Sequence, residues 1–213
     1  MRVLIMTSSA NAAGLTATCA EAARQGIVDG RSPARALNLN ELEIARCSVC
    51  DDGWGTCRSE HRCRIDDDFQ SLHESIRQAE GYVVVTPVYF GEPSEVVKAT
   101  LDRLRRCEAT KDESAGESSV LAAKPTILIA CAGGSGHGAV HCLAEMERAL
   151  AAVRADVFDT IPVTQRTRGY QSETIHDALA SMVSAAQANP AALARRSERG
   201  ERRPGRSPRR RRH

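Results

Sequence analysis

Five strand-like runs, spaced so that a helix fits between each and the next, constrain this chain more than any other feature. Val3–Met6, Tyr82–Val85 and Ile127–Ala130 are apolar without alternation. That suits strands covered on both faces, as in a parallel sheet. Ala34–Leu39 and Asp156–Val163 are weaker runs that complete the set. Elsewhere apolar residues recur at helical spacing, as in Leu15, Cys19, Ala22 and Ala23, in Phe69, Leu72 and Ile76, and in Val97, Leu101 and Leu104. Val140, Leu143, Leu150 and Val153 form a fourth stripe, and Ile175, Leu179, Met182 and Val183 a fifth. This alternation predicts an α/β fold, a doubly wound five-stranded parallel sheet with helices on both faces and right-handed crossovers.

Two segments stand outside the alternation. Residues 108–123 are small and polar and read as a long surface loop. Residues 189–213 combine Pro, Gly, Ser and Arg, a composition that predicts disorder. The formal charge of +2 hides this division, because residues 195–213 alone hold ten arginines against two glutamates, and the remainder is net acidic. An Arg-rich tail can bind nucleic acid weakly through phosphates; a solvated extension is the plainer reading. With 42% hydrophobic but only 3% aromatic residues, the core has to be built from Ala, Val, Leu and Ile. No apolar run approaches the ~18 residues that span a bilayer. The stretch after Met1-Arg2 is shorter than the roughly 7–15 apolar residues of a signal-peptide core, so a cytoplasmic protein is expected. Eight cysteines in such a chain point to metal ligands or thiols rather than a disulfide framework.

In an open parallel sheet, ligands bind beyond the carboxyl ends of the strands. Three of those ends are unusual. After the first comes Thr7-Ser8-Ser9-Ala10-Asn11-Ala12-Ala13-Gly14-Leu15-Thr16, a hydroxyl-rich loop entering a helix. Free amides at a helix start, with Ser and Thr hydroxyls, suit a phosphate; simple capping is the equal alternative. The loop matches neither nucleotide fingerprint, G-x-x-x-x-G-K-[ST] or G-x-G-x-x-G. After the third run, Tyr89 and Phe90 stand together in Pro87-Val88-Tyr89-Phe90-Gly91, in a chain with three Tyr and three Phe. They either support a planar ring or cap the core. After the fourth, Ala132-Gly133-Gly134-Ser135-Gly136-His137-Gly138 permits close backbone approach to a flat ligand. His137 either nears that ligand or is an ordinary exposed histidine.

Cys47, Cys50, Cys57 and Cys63 fall within seventeen residues. A C-x-x-C start places two thiolates on one turn, ready to share a metal or cluster. Three readings stay open: a [4Fe–4S] cluster, a structural zinc or redox-active thiol pair, and plain thiols in a loop that shapes a subunit interface. Cys19, Cys107, Cys131 and Cys142 lie on expected helices or strands and read as small core residues. Trp54 reads as packing for the window, and His61 as a solvated loop histidine.

These pieces carry a resemblance. Ser8-Ser9 with Gly14-Leu15-Thr16, the cysteine window running into Asp66-Asp67-Asp68, Thr86-Pro87-Val88-Tyr89-Phe90-Gly91, Lys98 with Leu101-Asp102-Arg103, and the Gly133–Gly138 loop together resemble the flavodoxin-like NAD(P)H-dependent FMN reductases. The likeness is strongest to the branch that includes the iron–sulfur flavoproteins and covers roughly residues 1–185. The family's first loop typically reads G-S-P-x-x-x-G-x-T, so Ser8-Ser9-Ala10 is a departure. The family's third window cysteine corresponds to Gly53, and Cys57 is the nearby substitute.

The resemblance implies a flavodoxin-like FMN-binding domain over residues 1–188, with a Cys-rich loop at 47–63 and the tail at 189–213. It implies FMN held at Ser8, Ser9, Asn11, Gly14, Leu15 and Thr16, with its ring against Pro87, Val88, Tyr89, Phe90 and Gly91 and near Ala132, Gly133, Gly134 and His137. Cys47, Cys50, Cys57 and Cys63 are the implied cluster ligands. No side chain need act as acid or base, because the flavin carries the chemistry. The implied activity is an oxidoreductase that takes hydride from NAD(P)H and passes electrons to a small-molecule acceptor such as a quinone or flavin. The alternative is a flavodoxin-type carrier that does not oxidise NAD(P)H itself. A homodimer or homotetramer is the implied assembly.

Overall fold

The computed structural model describes residues 1–188; the expectation for residues 189–213 lies outside the described residues. Five parallel strands, β1 (Val3–Thr7), β2 (Ala34–Asn38), β3 (Gly81–Tyr89), β5 (Pro125–Ala132) and β6 (Asp156–Thr164), lie in the order β2-β1-β3-β5-β6. Counted without the two-residue strand β4 (Glu92–Pro93), this is the 2-1-3-4-5 order of flavodoxin-like sheets. Every strand run in the sequence yields a strand, Leu39 alone falling past the end of its run's strand, and the helical stripes lie on α1 (Leu15–Asp29), α3 (Phe69–Gln78), α4 (Glu95–Glu108), α5 (Ala139–Ala152) and α6 (Arg168–Ala188), except that Val153 caps the end of α5.

Continuous apolarity in the central strands has the expected cause. Leu4 and Met6 of β1, Tyr82 and Val84 of β3, and Leu128 and Ala130 of β5 face α3, α4 and α5. Val3 and Ile5, Val83 and Val85, and Ile127 and Ile129 face α1 and α6. Each of these strands therefore spends both sets of side chains on a core. On the second face, Gly26 of α1 lets α6 come so near that a Cβ there would collide with the carbonyl of His176.

Two features differ from the sequence reading. Residues 47–63 contain a short helix, α2 (Thr56–Ser59). Strand β3 continues past Val85 to Tyr89 and folds back as β4 (Glu92–Pro93), an antiparallel partner with Val88 opposite Pro93 and Tyr89 opposite Glu92. The aromatic loop is thus the tip of a hairpin, and the sheet has a sixth, two-residue strand.

Candidate flavin and cysteine sites

The loops after β1, β3 and β5 lie at the carboxyl ends of adjacent strands, with Thr7 opposite Val85 and Pro87 opposite Cys131 in the register. Asn11 shapes the first loop. Its Oδ1 accepts the Ala13 amide at 2.9 Å, and its carbonyl accepts the Ser9 hydroxyl at 2.7 Å and the Gly14 amide at 3.1 Å. Gly14 is the N-cap of α1, no side chain caps it, and the first turn has no acidic residue. The amides of Leu15, Thr16 and Ala17 therefore lack helical acceptors and present the positive end of the helix. At the base of the loop, Thr7 Oγ1 is buried with no hydrogen-bond partner among the described residues.

Ser8 has another role than the cradle. It is 1% exposed, its hydroxyl donates to Thr86 Oγ1 at 3.3 Å, and it accepts the Ser94 hydroxyl at 2.8 Å. The Ser94 amide also donates to Thr86 Oγ1, at 3.0 Å, and Thr86 passes its own proton to the Pro87 carbonyl. This buried lock joins the loop after β1, the end of β3 and the start of α4. Asn38 and Asn40, at the end of β2, brace the same loop by donating to the carbonyls of Ser9 and Ser8. Thr16 is also buried, 6% exposed, so what it has to offer the loop is its backbone amide, which lacks a helical acceptor.

At the hairpin tip Phe90 has φ +53° and Gly91 φ +86°. Positive φ at both central residues is the two-residue turn that matches strand twist, but it is strained for a bulky side chain. Phe90 is fully exposed and Tyr89 half exposed. A strained aromatic held out into solvent at the ligand edge is an offer of surface, not core packing. The hairpin is seated on the start of α5: His141 Nδ1 lies 3.0 Å from the Gly91 carbonyl, and a Cβ on Gly138 would lie 2.8 Å from Gly91 Cα. Glu92, His141 and Glu145 bring one ligand atom each within 4.8 Å. His141 is engaged with Gly91, and Glu145 pairs with Arg148, so the trio serves as a brace.

Across from the hairpin, Ala132 is buried, while Gly133, Gly134 and His137 are exposed. A Cβ on Gly134 would meet nothing within 4 Å, and one on Gly133 only Gln165 Nε2 at 4.0 Å. The glycines leave a flat open face beside the hairpin. An uncapped helix start, an orphaned buried hydroxyl and an open glycine face fit a ligand with an anionic tail and a planar ring.

The cysteine window folds over the far half of α4. Cys47, Cys50, Cys57 and Cys63 all line one cavity of about 20 Å³, and Cys107 of α4 lines it as a fifth thiol. Burial, with Cys63 and Cys57 nearby, pushes the Cys107 thiol up to about 12. Hydrogen bonding to Ser48, with Arg64 beside it, holds the Cys50 thiol below its usual range. All eight cysteines are free. Among the described residues, no three window thiols come within 4.8 Å of one another, whereas a tetrahedral zinc with Zn–S ~2.3 Å holds its sulfurs about 3.8 Å apart. The cavity itself has room for about one water, so holding a cluster there would require the window to move outward. Val49 and Asp51 have φ near +50°, backbone strain of the kind concentrated at ligand clamps.

Sequence reasoning missed the anchor of this window. Arg103, 1% exposed, holds Asp67 by two hydrogen bonds, donates to the carbonyls of Ala45 and Ile65, and stacks on Phe69 at 4.2 Å. The string Leu101-Asp102-Arg103 marked the position, but not that its arginine is buried. It also missed Ser94, Asn38 and Asn40, for which the carboxyl-end rule was an available signal.

Solved structures share this fold. The structure of RosB with a bound 8-demethyl-8-formylriboflavin-5′-phosphate intermediate matches 98% of this chain and 90% of its own, with TM-score 0.65 at 15% identity. The NAD(P)H:quinone oxidoreductase of Methanothermobacter marburgensis matches 89% of this chain and 96% of its own, with TM-score 0.58 at 15% identity. At such identities the likeness establishes the flavodoxin-like fold. In sequence, the iron-sulfur flavoprotein of Methanosarcina thermophila is 41% identical over 65 residues, 30% of this chain and 32% of that protein. The model of the NADPH-dependent FMN reductase family matches residues 1–164, and the chain belongs to that family.

Proposed function

We propose that this chain is an FMN-dependent oxidoreductase that oxidises NAD(P)H and passes the electrons to a quinone, a flavin or another small acceptor. Bound FMN supplies the hydride-accepting centre, and a [4Fe–4S] group at Cys47, Cys50, Cys57 and Cys63 a one-electron relay. The observation that carries the reading is the trio of ligand-type loops on adjacent strand ends. Uncapped amides of α1 receive the phosphate, Tyr89 and Phe90 with Gly133 and Gly134 flank the ring, and the Ser8–Thr86–Ser94 lock keeps the loops in register. Likeness in fold to an NAD(P)H:quinone oxidoreductase supports a quinone acceptor, and likeness in sequence to an iron-sulfur flavoprotein supports the cluster. Eight free thiols accord with a cytoplasmic, reducing location. Exposed Tyr89, Phe90 and Val140 support assembly as a homodimer or homotetramer.

Anaerobic purification with an absorption spectrum, followed by FMN, iron and sulfide quantification and NAD(P)H oxidation with a quinone, tests this reading. About one FMN per chain and steady turnover are expected. Protein that neither carries flavin nor binds added FMN overturns it, and flavin without NAD(P)H oxidation favours an electron carrier.

A further inference from the structure

Between Arg2 and Arg24 the chain has no lysine or arginine, so the loop after β1 offers an anion amides and hydroxyls but no cation. The fold brings one from elsewhere. Arg168 opens α6 on the loop after β6, and its Nη2 donates to Thr18 Oγ1 at 2.9 Å across 150 residues. Thr18 donates the same hydroxyl to the Gly14 carbonyl at 3.1 Å, which holds the guanidinium beside the first turn of α1. No carboxylate pairs with Arg168 among the described residues.

This arrangement is electrostatically unanswered. A cation beside a helix start is repelled by its dipole. Neither an N-cap side chain nor an acidic residue in the first turn of α1 offsets that repulsion. The buried Thr7 Oγ1, without a partner among the described residues, belongs to the last residue of β1, at the start of the loop that enters α1. A guanidinium, free amides and an orphaned hydroxyl there are all satisfied together by one compact dianion.

We propose that Arg168 is a ligand of the FMN phosphate, supplying from the β6–α6 loop the cation that the β1–α1 loop lacks. The proposal rests on the reading of the β1–α1 loop as the FMN phosphate site. Tethering through Thr18 leaves the other guanidinium donors free for two phosphate oxygens. Riboflavin, which lacks the phosphate, should not sense this residue.

The test titrates flavin-stripped full-length protein with FMN and with riboflavin, comparing wild type, Arg168→Gln and Arg168→Lys. Arg168→Gln is expected to weaken FMN about tenfold, to leave riboflavin affinity unchanged, and to reduce the salt dependence of FMN binding. Arg168→Lys is expected to recover most of the loss. Equal weakening of both flavins, or unchanged FMN affinity in Arg168→Gln when wild type prefers FMN over riboflavin, overturns the role of Arg168. Wild type that binds FMN no better than riboflavin overturns the phosphate site itself.

Discussion

Arg103 reaches from α4 to clasp Asp67 with hydrogen bonds of 2.5 and 2.9 Å, its guanidinium side chain 1% exposed. Burial alone would raise the Asp67 carboxyl. The Arg103 pair and the amides of Ala45 and Phe69 outweigh it and hold the group below its usual range. Because Asp67 also accepts from Ala45 while Arg103 reaches the Ala45 and Ile65 carbonyls, this one pair closes the two ends of the cysteine window on each other.

Removing Arg103 should therefore free the window. Arg103→Ala removes a buried guanidinium, leaves the part-buried Asp67 carboxylate with only the Ala45 and Phe69 amides, and is expected to cost about 3–5 kcal/mol in urea unfolding. Arg103→Lys keeps the charge but loses the fork and falls in between. In both, Cys57 and Cys63 should react faster with a thiol probe than in wild type; unchanged thiol reactivity would contradict the anchoring role.

Iron content separates the window thiols from the fifth. Cys57→Ser and Cys63→Ser are expected to lose most iron and sulfide after anaerobic purification, whereas Cys107→Ser retains them. Iron retained in Cys57→Ser, or lost only in Cys107→Ser, would assign the ligands differently.

The three-hydroxyl lock predicts coupled loss of stability and flavin. Thr86→Val removes the acceptor of both the Ser8 hydroxyl and the Ser94 amide, leaving buried donors unpaired at about 1–3 kcal/mol. Thermal melting should fall, and FMN affinity should fall with it because the loops after β1 and β3 lose their register.

Phe90 should trade stability for function. Its φ of +53° costs a non-glycine residue on the order of 1 kcal/mol or more. Phe90→Gly is expected to raise the melting temperature while weakening FMN binding or turnover. A variant with unchanged flavin binding and turnover would remove Phe90 from the site.

Acid sensitivity should centre on Glu108, fully buried between His73 at 2.7 Å, Lys111 at 2.9 Å and the Val120 amide at 2.7 Å. Burial pushes its carboxyl up, but these three partners outweigh it and hold the group at about 2, against an ordinary value of 4.5. A depressed folded value means the stabilisation is complete above pH 4.5 and is lost as pH falls from there toward about 2. It amounts to something on the order of 3 kcal/mol at neutral pH. Urea midpoints of wild type and Glu108→Gln should differ most near neutral pH and converge toward pH 2.

Much of this arrangement is written locally. Val3–Met6 and Ile127–Ala130 are apolar on both sides of the strand, so they have to lie at the centre of a covered sheet. Glycine, serine and asparagine at their ends have to turn, and a C-x-x-C start has to put two sulfurs on one bend. The hairpin was less legible, because the apolar run stops at Val85 although β3 runs through Pro87 to Tyr89. Proline is tolerated there because Pro87 lies near the end of the strand, where little ladder remains to be donated to.

The sequence by itself determined the strand and helix set, the doubly wound sheet and the three ligand-type loops, since those follow from periodicity and turn chemistry within a few residues. Only the tertiary structure decided which polar groups are spent on partners within the fold and which are left available. Ser8 is spent on Thr86 and Ser94, Cys107 joins the window thiols, and Arg168 reaches α1, through contacts spanning from about 50 to 150 residues. A hydroxyl, thiol or guanidinium shows no direction in a local pattern. Its partner is chosen when the strand order β2-β1-β3-β5-β6 sets distant loops side by side, and when burial makes an unpaired polar atom too costly to keep.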